Sequence, residues 1–435
     1  MSGRRRILSL LSLFTLLLGG FAAGAVAVSA ETVAITGATV HTLGPAGTLQ
    51  GATVLLENGR IRAVGRDVAV PAGARRIDAA GKVVTPGLFD SQSQLGLVEV
   101  GAVEGSNDTR VRNYDPITAA FAVADAINPR STLIAVNRIE GLTRVMVAPE
   151  DGDSLIAGQG AIIDLGGPGD YLLRSPAAMF AVLGEGGAQR AGGARGAAML
   201  RLREALQDAL DYAANRAAFE RGDRREYSVS RLDLEALVPV VRGRLPLVIT
   251  AQRASDLEAA LRLAKELELR LVLAGAEEGW MVAKEIAAAG VPVLLDPLDD
   301  RPERFEVAGA TLENAARLQK AGVTLAFMSG EAHNARNIRQ LAGNAVAYGM
   351  PWDAALASLT SVPARIWGIA DRYGTIEPGK DADVVIWDGD PLEVTTAAER
   401  VFIRGVEMPM KSRQTELRDR YKDLAGPLPP AYRHP

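Results

Sequence analysis

Few residues in this chain are equipped for chemistry, and their positions restrict what it can do. There are 3 His and no Cys, so thiolate metal sites and disulfides are excluded. The imidazoles are His41, His333 and His434. Glu331 and His333 lie two apart and form a possible acid–base pair, with the carboxylate orienting a ring that titrates near neutrality. The alternative reading makes both of them polar loop residues. Ser329 with His333 lacks a third partner and a Gly-x-Ser-x-Gly elbow, which argues against serine-hydrolase chemistry. Gln92, Gln94, Gln252 and Arg253 offer paired donors and acceptors for a small polar ligand. Equally, the three glutamines could bond one another or water. Asp151, Asp153 and the Gly158-Gln159-Gly160 stretch read as parts of a loop near them.

These side chains need a scaffold, and the chain is long enough to build one. It has 435 residues, 48% of them hydrophobic and 23% charged, which are globular proportions. The 48 Lys and Arg are outnumbered by 52 Asp and Glu, so nothing electrostatic favours nucleic acid. Residues 1–30 read as an export signal: Arg4, Arg5 and Arg6, an apolar run to about residue 27, then Val28-Ser29-Ala30. Cleavage is expected after Ala30, giving a periplasmic or secreted protein; an uncleaved membrane anchor is the alternative. Arg-Arg-x-Ile-Leu also resembles a twin-arginine signal, so the export route stays open.

Residues 31–85 are rich in short β-prone runs, and Asn58-Gly59 marks a tight hairpin. Apolar runs at 142–147, 247–251, 270–273, 291–295 and 323–327 then alternate with helical stretches at 197–220, 256–268, 281–289, 312–321 and 334–348. Such alternation implies a parallel sheet, and at this length a closed (β/α)8 barrel. Residues 100–195 fit no regular pattern. The glycine-rich run 184–196 reads as a mobile loop or lid, or equally as a disordered segment. Trp280 and Trp367 fall in helical stretches and read as packing residues. Strand texture returns at 371–410, and a tail with a short charged helix closes the chain.

Several motifs resemble the amidohydrolase superfamily. Val84-Thr85-Pro86-Gly87-Leu88-Phe89-Asp90 is similar to the entry into that family's first barrel strand. Gly374-Thr375-Ile376-Glu377-Pro378-Gly379-Lys380-Asp381-Ala382-Asp383-Val384-Val385 resembles its C-terminal signature. Ser358-Leu359-Thr360, Pro363-Ala364 and Gly368 resemble the helix before that signature. The nearest branch is that of the imidazolonepropionase-related enzymes. The resemblance implies an α/β fold, with a TIM-type barrel at 86–370 and a small β-sandwich built from 31–85 and 371–410. It also implies a hydrolase of carbon–nitrogen bonds other than peptide bonds, using zinc held by histidines.

The residues depart from that ligand pattern. Where the family has His-x-His after the first strand, this chain has Gln92-Ser93-Gln94. The fifth strand offers Thr250 and Gln252, the sixth ends in Ala274-Gly275, and Met328-Ser329-Gly330 stands where an Asp is usual. No Lys lies between Lys82 and Lys265 to serve as a bridging ligand. Amide oxygens are poor zinc donors. The expectation is therefore a degenerate site without metal, its pocket formed by Gln92, Gln94, Gln252, Arg253 and Ser329, with Glu331 and His333 as the candidates for any remaining catalysis. The alternative function is an inactive binding protein, or a partner subunit of an active His-rich paralogue. Association with itself is equally open.

Overall fold

A computed structural model describes residues 31–112, 117–150, 152–422 and 432. The proposed signal segment, Asp151 and His434 lie outside them. Residues 31–435 form one compact unit. Among the described residues no helix is long and apolar enough to cross a membrane.

The chain opens with β1 (Val33–His41), β2 (Thr48–Glu57), β3 (Arg60–Gly65), β4 (Arg75–Asp78) and β5 (Val83–Pro86). The β2–β3 turn is Asn58-Gly59, with φ of 52° and 77°; both values are left-handed, as the tight hairpin turn requires. These strands share a sheet with β14 (Val384–Trp387), β15 (Ala398–Ile403) and β16 (Val406–Glu407) from the far end of the chain. The join is an antiparallel ladder in which Val84 faces Ile386. Val33, Ile35, Val54, Ile61, Val384, Ile386 and Phe402 fill the core of this unit. The two chain ends therefore build one β-layer together, as expected.

A second eight-stranded sheet lies between them in sequence. It comprises β6 (Leu88–Ser93), β7 (Leu142–Val147), β8 (Ile156–Asp164), β9 (Leu172–Val182), β10 (Leu247–Ala251), β11 (Leu271–Gly275), β12 (Val293–Leu295) and β13 (Leu325–Phe327), neighbours in that order. Phe89, Met146, Ile162, Phe180, Val248, Val272, Leu294 and Ala326 cluster together, one from each strand, so the interior is packed as in a barrel. α1 (Thr132–Arg138), α2 (Gly184–Arg190), α3 (Arg195–Glu220), α4 (Arg231–Val241), α5 (Ala254–Glu266), α6 (Ala283–Ala289), α7 (Asn314–Lys320) and α8 (Ile338–Ala347) connect the strands. Beyond β13 the seam back to β6 is tied by main-chain bonds: Gly330 N donates to Gln92 O at 2.9 Å, and Gln94 N to Glu331 O at 3.1 Å.

The architecture is the expected barrel plus β-sheet domain, with one strand reversed. β8 runs antiparallel to both β7 and β9. This corrects the loop expected at Gly158-Gln159-Gly160, which lies inside β8. Its glycines answer to packing. A Cβ at Gly160 would stand 2.5 Å from the Phe180 ring, and one at Gly158 2.5 Å from Phe121 O. The run 184–196 is likewise not a loop throughout, since 184–190 is helix α2. Gly184 has φ of +69°, and a Cβ there would lie 2.7 Å from Glu306 Oε2. Trp367 is buried in the barrel cluster, and Trp280 Nε1 donates to Gly309 O at 2.8 Å; both pack.

One buried ion cluster joins the barrel to the β-domain. Arg144 of β7 donates to Asp383 through Nε at 2.6 Å and Nη2 at 2.8 Å. Its Nη1 lies 3.1 Å from Asp164, and its guanidinium rests 4.2 Å from the centre of the Tyr373 ring. Arg404 closes the group, its Nη2 2.9 Å from Asp164 and its main-chain N donating to Asp383 Oδ1 at 2.9 Å. The Asp383 of the C-terminal motif thus has a structural task, anchoring a charge inside the barrel floor.

Candidate active site at the barrel mouth

The C-terminal ends of the parallel strands and the segments that follow them form the mouth, the face where barrels of this architecture place their chemistry. One half of it is a small cavity of about 150 Å³, lined by Gln92, Ser93, Gln94, Glu150, Phe180, Thr250 and Gly330 among others. Gln94 is already engaged, its Nε2 donating to Glu150 Oε1 at 2.5 Å. Glu150 also accepts from Thr109 Oγ1 at 3.1 Å and Arg110 Nη1 at 3.0 Å. Gln92 differs: its Oε1 is buried and has no hydrogen-bond partner. A buried amide oxygen with no partner in the chain is an acceptor to which a bound ligand can donate.

Ser329 is bound to Asp90 rather than open to the cavity. Its Oγ donates to Asp90 Oδ2, and its N donates to Asp90 Oδ1 at 3.0 Å. Asp90 also accepts from Gln92 N at 3.1 Å. Complete burial raises Asp90 to about 7, against the lowering effect of these bonds. Gln252 stands at the end of β10, its Oε1 and Nε2 facing Gly184 and Gly275. Arg253 is exposed and precedes α5.

Glu331 and His333 do not form the pair that their spacing suggested. No hydrogen bond or ion pair joins them. Glu331 is exposed and contributes its carbonyl oxygen, which accepts from Ser93 Oγ at 2.8 Å as well as from Gln94 N. His333 turns away, its Nε2 2.7 Å from Gln414 Nε2 in α9 (Arg413–Tyr421) and 3.2 Å from Arg336 Nη1. A ring held between an amide and a guanidinium has a structural setting. His41 packs on Trp352 at 4.6 Å between ring centres, in the β-domain.

The other half of the mouth is acidic, and sequence reasoning passed over it. Glu277 follows β11 by two residues and Asp296 follows β12 directly. Their only signal in the sequence is a carboxylate just past an apolar run, which does not distinguish a buried acid from a surface one. Glu277 is 6% exposed, and its Oε2 has no hydrogen-bond partner. Burial, reinforced by neighbouring Asp299, pushes Glu277 up to about 8. Asp296 is raised by burial and by the charges of Asp299 and Glu331, and it in turn acts on Asp90.

Comparison with known proteins agrees with the fold. The model of the Amidohydrolase family matches residues 255–412. The chain is 27% identical over 389 residues to amidohydrolase tasK of Hapsidospora irregularis; the match covers 81% of this chain and 39% of that protein. The chain thus spans about two fifths of the length of that relative. It is 48% identical over 52 residues to imidazolonepropionase of Mycolicibacterium smegmatis, 12% of this chain and 13% of that protein. An amidohydrolase structure from Thermotoga maritima MSB8 superposes with a TM-score of 0.79 at 29% identity, covering 88% of this chain and all of that one. Over residues 255–412 the chain carries the sequence pattern of the Amidohydrolase family, and its fold is that of an amidohydrolase barrel.

The zinc implied by that likeness does not fit the residues present. Amides, a hydroxyl and glycine stand at the positions where the resemblance implies imidazoles, and the carboxyl groups of Asp90, Glu277, Asp296 and Glu331 are spread around the mouth and do not converge on one point. Among the described residues no three His, Cys, Asp or Glu side chains stand close enough to hold a metal ion.

Proposed function

We propose that this chain is an exported amidohydrolase-family protein in which the barrel mouth serves as a metal-free site for a small polar ligand. The observation carrying this reading is the donor set. Gln92 presents an unpaired oxygen, Gln94 is committed to Glu150, and Thr250 supplies only a hydroxyl. Hydrolysis in this superfamily, as the motif resemblance implies, depends on a Lewis acid and the water it activates. Without them, the nominal activity on non-peptide carbon–nitrogen bonds has no provider of hydroxide. The Arg4-Arg5-Arg6 segment, the apolar run and Val28-Ser29-Ala30 support export with cleavage after Ala30.

A second reading, a partner subunit for an active relative, is favoured by the apolar side chains on segments following β6 and β12. Val100 and Val103 are half exposed, Leu298 is 36% exposed and Phe305 94% exposed, in keeping with a face that another chain covers.

The test is turnover. The purified protein is assayed on amide, lactam and imidazolone substrates, with and without added Zn2+. No hydrolysis above background is expected in either condition. Zinc-dependent turnover lost in Gln92→Ala would overturn the proposal. Turnover that needs no zinc but disappears in Asp90→Asn would instead establish a metal-free hydrolase.

A further inference from the structure

The acidic half of the mouth has a ligand chemistry of its own. Four segments bring carboxylates to one side of the opening: Asp90 from β6, Glu277 after β11, Asp296 and Asp299 after β12, and Glu331 after β13. They interact electrostatically in sequence, Glu277 with Asp299, Asp299 with Asp296, and Asp296 with both Asp90 and Glu331. Arg304 acts on Glu277 but leans to Glu306, 3.7 Å from its Oε1.

Two buried acceptors at the mouth have no hydrogen-bond donor within the chain. Glu277 Oε2 meets no N–H or hydroxyl donor although the side chain is almost wholly enclosed, its neighbour being the carboxyl group of Asp299. It shares the space beside Gly275 with Gln252 Nε2; a Cβ on that glycine would lie 3.2 Å from the first and 3.4 Å from the second. Gln92 Oε1 is the other orphan, in the adjoining cavity. Unsatisfied buried acceptors cost folding free energy unless something donates to them.

The spacing of the acids selects the donor. They do not gather three ligating groups around one point, so a compact divalent ion has no cage. A spread of carboxylates with amide oxygens between them suits a cation whose charge and donors are themselves spread. A guanidinium offers five N–H donors in a plane, and an alkylammonium three.

We propose that the acidic half of the barrel mouth, centred on Glu277 and Asp299 and flanked by Gln252 and Gln92, binds a small organic cation bearing a guanidinium or primary ammonium group. This rests on the reading of the mouth as metal-free. Glu277 releases its proton to solvent as the cation arrives and, with Asp299, holds the cationic head, while Gln92 takes a second donor from the ligand body.

Isothermal titration with agmatine, which carries both cationic groups, tests this on the intact protein, with butyramide as the uncharged probe and ZnCl2 in a separate titration. One agmatine per chain is expected, with butyramide silent. Affinity should fall at least about tenfold in Glu277→Gln and in Asp299→Asn, and stay unchanged in Glu266→Gln, whose exposed partner is Arg203. Circular dichroism confirms that each variant is folded. Agmatine that fails to bind, or binds both mouth variants as tightly as the native chain, overturns this inference, and silence toward zinc in that experiment leaves the metal-free reading standing. Tight stoichiometric zinc binding overturns both.

Discussion

Arg144→Met should lower the unfolding free energy by about 3–5 kcal/mol, read as the shift in a urea titration at pH 7. The side chain is 2% exposed and meets Asp383 through two hydrogen bonds and Asp164 through a third contact. Methionine keeps most of the volume and removes the charge. Two carboxylates then remain in a barrel floor with Arg404 alone to balance them, and of the two its side chain reaches only Asp164, its Nη1 being turned to Asp170. The released groups must take up protons or admit water, and either costs free energy. A loss below about 1 kcal/mol would show that the cluster is less enclosed, or less ionised, than its geometry indicates.

The second large effect concerns pH. Asp90 and Glu277 are held at about 7 and about 8, against ordinary values of 3.8 and 4.5. Both are raised, and in both the largest cause is burial. Between the ordinary and the raised values the folded chain binds more protons than the unfolded chain, so stability falls as pH rises. Their contribution is complete below about pH 4 and is lost as pH climbs through 7 and 8. Each unit of difference corresponds to about 1.4 kcal/mol. With water penetration and relaxation of the mouth, a net fall on the order of 2–4 kcal/mol is expected between pH 5 and pH 8.5. Glu277→Gln should flatten the profile and exceed the native chain in stability at pH 8.5, because a neutral amide no longer has to ionise in an enclosed site. Urea midpoints for both proteins across that range decide it. A native profile that rises with pH, or a variant with the same slope, would contradict the burial of Glu277.

How much of this was legible in the residues varies from one part to the next. The motifs at 84–90 and 374–385 announced both the barrel entrance and the return of the chain to the first sheet, because each encodes backbone contacts. Gly87 N, for example, donates to Asp383 O at 3.0 Å. The β8–β9 hairpin was hidden. β8 is buried on both faces along most of its length, so it lacks the alternation that betrays a strand, and its glycines imitate a turn. They are small because Phe121 and Phe180 press against them, which only the fold reveals. The pair Glu331–His333 misled for a related reason. Spacing of two says nothing about direction in an irregular segment, and the ring is drawn toward Gln414, 81 residues away in sequence. Glu277 and Asp296 went unnoticed because an acid after an apolar run reads as an ordinary polar boundary, and only burial distinguishes these two.

In the proposed reading, amide, hydroxyl and carboxyl groups stand at the barrel mouth in place of a metal centre. Elemental analysis of the purified protein, exposed to Zn2+ and then passed through gel filtration, tests it most directly. Well under one zinc per chain should remain, and the same in Gln92→Ala. One or more zinc ions retained by the native chain and lost in Gln92→Ala or Glu277→Gln would contradict the account.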